Sequence, residues 1–206
     1  MNKEKRTIVI DNGSWLTKSG IGGMETPSSL LTSAISVLKP DIPIISTRSK
    51  NRFGSSVFLQ SDESNIEYPM NHGLIQSWEL AEKLWYEIMY NELKIDPVNE
   101  SILTTDSVFN NKQSREKTLD IFFDNFRVTS FLISPQSILS LYSTGRTSGL
   151  ITDIGDTYCH SIAVLDGYSI KQTATKVDFG GRELTDFCVR LMRQENHKYD
   201  HIVELN

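Results

Sequence analysis

The feature that most constrains this chain is an internal echo of one short pattern. Near the N-terminus, IVIDNGSWLTKSGI runs an apolar stretch into an Asp, one intervening residue, a Gly and a small polar residue. Near position 150, GLITDIGDTYCHSIAV does the same. Asp11 matches Asp153, Gly13 matches Gly155 and Lys18 matches His160. Two hairpins of one design, far apart in sequence, predict two similar domains that face one another. The pattern also points to a ligand. A tight hairpin exposes backbone N–H groups that cradle phosphate oxygens, and glycine lets the backbone come close. An Asp at the end of each strand offers hard oxygen ligands to a magnesium ion or its waters, and Lys18 neutralises phosphate charge. One D-x-G alone carries little, because many plain β-turns contain it; the repetition carries the inference.

The rest of the chain fits a mixed α/β architecture in which the strand cluster starts twice. Arg6–Asp11 reads as a buried strand that enters a tight turn at Asn12-Gly13, and a second strand follows over Leu16–Ile21. Residues 24–67 read as short strands and loops. Ser77 caps a helix over Trp78–Leu93 whose Ala81, Leu84, Trp85, Ile88 and Met89 face a core. Ser101–Thr105 is a strand, and Asn110 or Asn111 caps a helix with a stripe of Leu119, Phe122, Phe123 and Phe126. Val128–Ser134 is a strand, and Pro135 sits in the first turn of a helix that ends at Gly145. Strands over Gly149–Ile154, Ser161–Leu165 and Lys171–Asp178 follow, the last two joined by an Asp166-Gly167 turn. A final helix from about Arg182 carries Leu184, Phe187, Cys188, Leu191 and Met192 on one face.

Composition narrows the function. With 38% hydrophobic and 23% charged residues the chain is ordinary for a soluble domain. Its net charge of −5 argues against general nucleic-acid binding, which needs basic surface. No apolar run approaches the ~20 residues of a membrane span, and the charged segment Met1–Arg6 lacks the apolar stretch of a signal peptide. Cys159 and Cys188 form no CxxC pair, and His197 and His201 lie too far on to make a zinc site with either; reduced thiols in a cytoplasmic or nuclear protein are the reading.

Longer stretches then bring a family into view. IDNGSWLTKSGIGG, YPMNHGLIQSWELAEKLWYEIMYNEL (Tyr68–Leu93), NNKQSREKTLDIFFDNF (Asn110–Phe126), QSILSLYSTGRTSGLITDIGD (Gln136–Asp156) and GYSIKQTATKVDFGGRELTDF (Gly167–Phe187) resemble actin and the actin-related proteins, in order and along nearly the whole chain. The resemblance implies an actin-like α/β fold of two RNase H-like domains with ATP or ADP and Mg2+ or Ca2+ in the cleft between them. It implies a first domain over residues 1–143 with a small inserted subdomain at about 33–68. An incomplete second domain over 144–206 follows, so that the chain is a piece of the fold or a partner supplies the rest. By matching positions it implies that Gln136 and His160 orient and deprotonate the attacking water. Asp11 and Asp153 lie near the metal. Gly13, Ser14, Trp15, Lys18, Gly155, Asp156 and Thr157 lie at the phosphates or ribose, and Gly181 near the nucleoside.

Five departures bear on function. Trp15 and Thr157 stand at family glycine positions, unfavourable if the backbone there needs φ > 0. Ile154 replaces a small polar residue. His72 has Asn71 beside it in place of an acidic residue and reads as structural. The segment Asp41–Asn51, with its leading Pro40, is unlike the intersubunit loop of actin. The resulting expectation is an ATP-binding structural protein of the cytoskeleton or of a larger assembly, with actin-like subunits or assembly components as protein partners. The alternative is a non-enzymatic module with weak or no nucleotide binding. A small-molecule kinase of the same superfamily is disfavoured, because the match beyond the phosphate loops is to actin.

Overall fold

The computed structural model describes residues 6–38, 51–58 and 64–194; the segment 41–50, read as differing from an intersubunit loop, lies outside them. Strands β1 (Thr7–Asp11) and β2 (Leu16–Ile21) form an antiparallel hairpin that pairs Ile8 with Ile21 and Asp11 with Lys18. β3 (Ser29–Thr32) pairs with β2. β4 (Ile35–Leu38) runs between β5 (Asn51–Arg52) and β6 (Ser64–Glu67) in a separate small sheet. β7 (Met70–Asn71) and β8 (Leu74–Ile75) form a short hairpin across His72-Gly73, both in the left-handed region with φ of 50° and 73°. Helix α1 (Trp78–Tyr86) leads to β9 (Ser101–Asp106), and α2 (Lys112–Asp120) leads to β10 (Ser130–Pro135). β9 lies parallel to β1 and β10 parallel to β9, so the first sheet has the order β10-β9-β1-β2-β3.

The helices form where the sequence places their caps. The Ser77 side chain accepts from Leu80 N–H, and the Asn111 side chain accepts from Ser114 N–H at 2.8 Å. Each then widens into a π-helical turn, over Glu87–Glu92 and Ile121–Asn125, and stops at a left-handed residue, Lys94 or Arg127. The predicted face of the first helix is buried: Ala81, Leu84, Trp85, Ile88 and Met89 pack with Phe122 and Phe126 over Ile8, Ile10 and Ile102 of the sheet. The second stripe is buried only in part, because Phe123 is exposed and Leu119 half-buried beside the enclosed Phe122 and Phe126. Phe122 is the joint of that layer, with ring centroids 4.8 Å from Trp85 and 4.4 Å from Phe131.

α3 (Gln136–Tyr142) carries the chain to a second sheet. There β11 (Gly149–Ile154), β13 (Tyr168–Ser169) and β14 (Thr175–Val177) all pair antiparallel with β12 (Cys159–Leu165). Asp153 pairs with His160 as Asp11 pairs with Lys18, so the echo in sequence is an echo in register. The Asp166-Gly167 turn forms as predicted, with φ of 47° and 83°. α4 (Gly181–Gln194) closes the described chain. No helix among the described residues is long and apolar enough to cross a membrane.

Several expectations need correction. Asn12-Gly13 is not a two-residue turn: Asp11 pairs with Lys18, so the loop between the strands is longer, and Gly13 does not adopt positive φ. Pro135 ends β10 rather than entering the helix. Lys171–Asp178 is not one strand. Lys171–Thr173 is a 3-10 turn, because the Thr173 hydroxyl donates to Ile170 C=O at 2.8 Å and accepts from Ala163 N–H at 2.9 Å, local bonds that compete with the ladder. The apolar face of α4 is not buried among the described residues: Leu184, Phe187 and Leu191 are exposed, as are Leu150, Ile154 and Val177 on the second sheet.

The echo supplies its own control for packing. Ile8 is 0% exposed, whereas Leu150, its counterpart in the second hairpin, is 72% exposed. Ile8→Ala should cost about 2–5 kcal/mol, and Leu150→Ala should stay within about 0.5 kcal/mol, both read from urea unfolding. Equal costs would show that the outer face of the second sheet is covered in solution.

Candidate functional site

Three parallel strands, β1, β9 and β10, end on the same side of the first sheet at Asp11, Asp106 and Pro135. The crevice outside the carboxyl ends of such strands is where open α/β sheets hold ligands. The side chains at these ends converge on Asp11. Its Oδ1 accepts from Thr105 Oγ1 at 2.9 Å and from Gln136 Nε2 at 3.1 Å, and its Oδ2 faces Lys18 Nζ at 3.2 Å. Asn12 fixes the loop to the core: its Oδ1 accepts from the buried Trp85 Nε1–H at 3.0 Å, and its Nδ2 donates to Thr104 Oγ1 at 2.6 Å.

The two hairpin loops are built alike. A Cβ added at Gly13 would collide with the carbonyl oxygen three residues on, of Leu16. A Cβ at Gly155 would lie 3.1 Å from the corresponding oxygen of Tyr158. Each glycine therefore permits a close backbone approach with an ordinary φ. The loops face each other across a cleft of 610 Å³, within the range of small-molecule sites. Asp11, Gly13, Ser14, Trp15 and Lys18 line one side, and Asp153, Gly155, Asp156 and Thr157 the other, with Gln136 on the α3 side.

His160 and Gly181 do not line that cleft. His160 is 5% exposed; its ring stacks on Tyr158 at 5.5 Å and meets the edge of Phe109 at 6.0 Å. Its Nδ1 lies 3.9 Å from Asp153 Oδ2. Burial holds the imidazole below its ordinary pKa, and the Asp153 carboxylate acts more weakly in the opposite direction. Gly181 supports the second loop from behind, where its N–H donates to Gly155 C=O at 3.0 Å. The Gln136 amide donates to Asp11 and to Asn12 C=O, and the Asp156 carboxylate is paired with Arg182 at 2.9 Å.

Trp15 and Thr157 are accommodated without backbone strain of the left-handed kind, since neither has positive φ. The Trp15 ring stacks on Phe58 with centroids 5.8 Å apart. Thr157 is 2% exposed; its Oγ1 accepts from His72 N–H at 3.0 Å and donates to Ser14 Oγ at 3.1 Å. The structural reading of His72 fits the approach of its Nδ1 to Asp178 Oδ1, 3.3 Å away. Asn12, Thr105 and Tyr158 were not singled out by sequence. Tyr158 fills the space above Gly73, where any Cβ would strike its hydroxyl. The available signals were the polar residues Thr104-Thr105 at the end of a strand and the aromatic residue just beyond the second D-x-G.

Charge decides what this cleft accepts. Asp11 and Asp153 outweigh Lys18, so polyphosphate would meet net negative charge. Among the described residues no group of three or more His, Cys, Asp or Glu side chains could hold a metal ion by itself. Two carboxylates alone would leave most of a divalent cation's shell to phosphate oxygens and water.

His160 gives a pH test. Its folded pKa lies below the unfolded value near 6.5, so the folded state binds fewer protons. The stability is complete above that value and is lost as pH falls through the folded pKa. NMR should show His160 titrating below about 6.5, and Asp153→Asn should push it lower still; titration at or above 6.5 would contradict this geometry. Against known families, a model of the actin family, described as "Actin", matches residues 2–203. A match over almost the whole chain, on a fold with the paired hairpins described above, shows that this chain belongs to the actin family.

Proposed function

We propose that this actin-family chain binds ATP or ADP with Mg2+ or Ca2+ in the cleft between the two hairpins, and serves as a structural subunit that works in contact with other proteins. The observation that carries the reading is the placement of Asp11, Ser14 and Lys18 from one hairpin and Asp153 from the other on the walls of one cleft. When bound, the cation would neutralise phosphate charge and fix phosphate geometry. Asp11 and Asp153 would hold it or its waters, and Lys18 would face the phosphates.

Binding is better supported than turnover. The Gln136 amide is occupied by Asp11 and Asn12, and His160 is enclosed away from the cleft wall. A second reading, a module with weak or no nucleotide binding, is favoured by the engagement of Ser14, Asp156 and Thr157 with other side chains. Exposed apolar residues on β11, β14 and α4 support contact with protein partners, actin-like subunits or assembly components.

Titration with a fluorescent ATP analogue distinguishes the two readings. The nucleotide reading expects saturable binding that falls about tenfold or more on removal of divalent cation by EDTA or in Lys18→Ala, since each change loses a charge-assisted contact with phosphate. No binding by the folded chain would select the second reading.

A further inference from the structure

We propose that Thr157 is a positioning residue which hands a hydrogen-bond chain from the β7–β8 hairpin to Ser14, so that the Ser14 hydroxyl meets an anionic oxygen in the cleft as a donor. The proposal rests on the anion-binding reading above and adds to it the residue Thr157.

The chain of donors is counted proton by proton. His72 N–H donates to Thr157 Oγ1 at 3.0 Å, and the single Thr157 hydroxyl proton then goes to Ser14 Oγ at 3.1 Å. Ser14 has accepted, and its own proton has no acceptor among the described residues. Thr157 and Ser14 are both buried, and Ser14 lies on the cleft wall. A buried hydroxyl left with an unspent donor calls for an acceptor. The two bonds feeding it polarise it as a donor, and a phosphate oxygen brought in with its cation, which offsets Asp11 and Asp153 on the cleft walls, is an acceptor of that kind.

The start of the chain is held firmly. His72 occupies the left-handed region with φ of 50°, a conformation that a non-glycine residue keeps only where its surroundings impose it. Its Nδ1 faces Asp178 at 3.3 Å, and the neighbouring Gly73 sits under the Tyr158 hydroxyl. Consecutive residues Thr157 and Tyr158 thus grip one two-residue turn. A glycine at 157 would keep the loop but break the chain, so the threonine makes the hairpin's position felt at Ser14.

The test measures binding of MgATP, and of magnesium pyrophosphate as a base-free anion, to the parent chain, Thr157→Val, Thr157→Ser, Ser14→Ala and the double variant Ser14→Ala/Thr157→Val. Circular dichroism confirms folding, and Thr157→Ala replaces the valine variant should that fail to fold. Thr157→Val is expected to lose about tenfold in affinity for both probes, and Thr157→Ser to restore it. The double variant is expected to bind no more weakly than Ser14→Ala, because Thr157 acts through Ser14. Parent-like binding by Thr157→Val, or additive losses in the double variant, would overturn the proposal while leaving the nucleotide reading intact. Binding of pyrophosphate but not ATP would overturn the nucleotide reading, and the same cycle on pyrophosphate would still decide the role of Thr157. Failure of both probes to bind the parent would overturn both.

Discussion

The carboxylate of Asp11 holds the first hairpin in place. Donors reach it from β9, from α3 and from β2, through Thr105, Gln136 and Lys18, so the last residue of a central strand ties together the elements around the cleft. The rest of the site follows from that convergence. It fixes the loop at Asn12, which the buried Trp85 indole holds from below, and it leaves Gly13 pressed against the Leu16 carbonyl so that Ser14 faces the second hairpin. Three donors fix the orientation of the Asp11 carboxylate beside Lys18.

The second hairpin repeats the backbone and changes the chemistry. Register and glycine geometry are kept, with Asp153 opposite His160 and Gly155 close to the Tyr158 carbonyl. The exposed lysine of the first copy is replaced by an enclosed imidazole, and the small hydroxyl residue by an aspartate committed to Arg182. The two copies therefore do not act as equals. The first presents charge and a hydroxyl to the cleft. The second presents the Asp153 carboxylate, with Asp156 held by Arg182, and uses Thr157 and Tyr158 to grip the β7–β8 turn.

Much of this was legible in sequence because the signals were strong and local. The β-branched run before Asp11, the Ser77 and Asn111 caps and the Asp166-Gly167 turn all formed, and the helical spacing of Ala81, Leu84, Trp85 and Ile88 gave the core. Local signals misled where tertiary contacts decide. Helices α1 and α2 lead, through their π-helical turns, to non-glycine left-handed residues, Lys94 and Arg127, which no glycine announced. Asn12-Gly13 resembles a two-residue turn but serves a longer loop, because Asn12 is drawn inward by Trp85 and Thr104. The stripe on α4 has helical spacing but no described surface to pack against. In the site, residue types identified the cleft walls, but not whether a side chain was already engaged: Gln136 binds Asp11, and Thr157 binds Ser14 across the cleft.

The central claim is that the two hairpins act as one anion-binding site. Hydrogen–deuterium exchange with and without MgATP tests it most directly, because each loop reports for itself. The account predicts slowed exchange over residues 11–18 and 153–160 together, with the intervening α2 helix unchanged. Slowing in only one hairpin, or in neither while the chain stays folded, would contradict it.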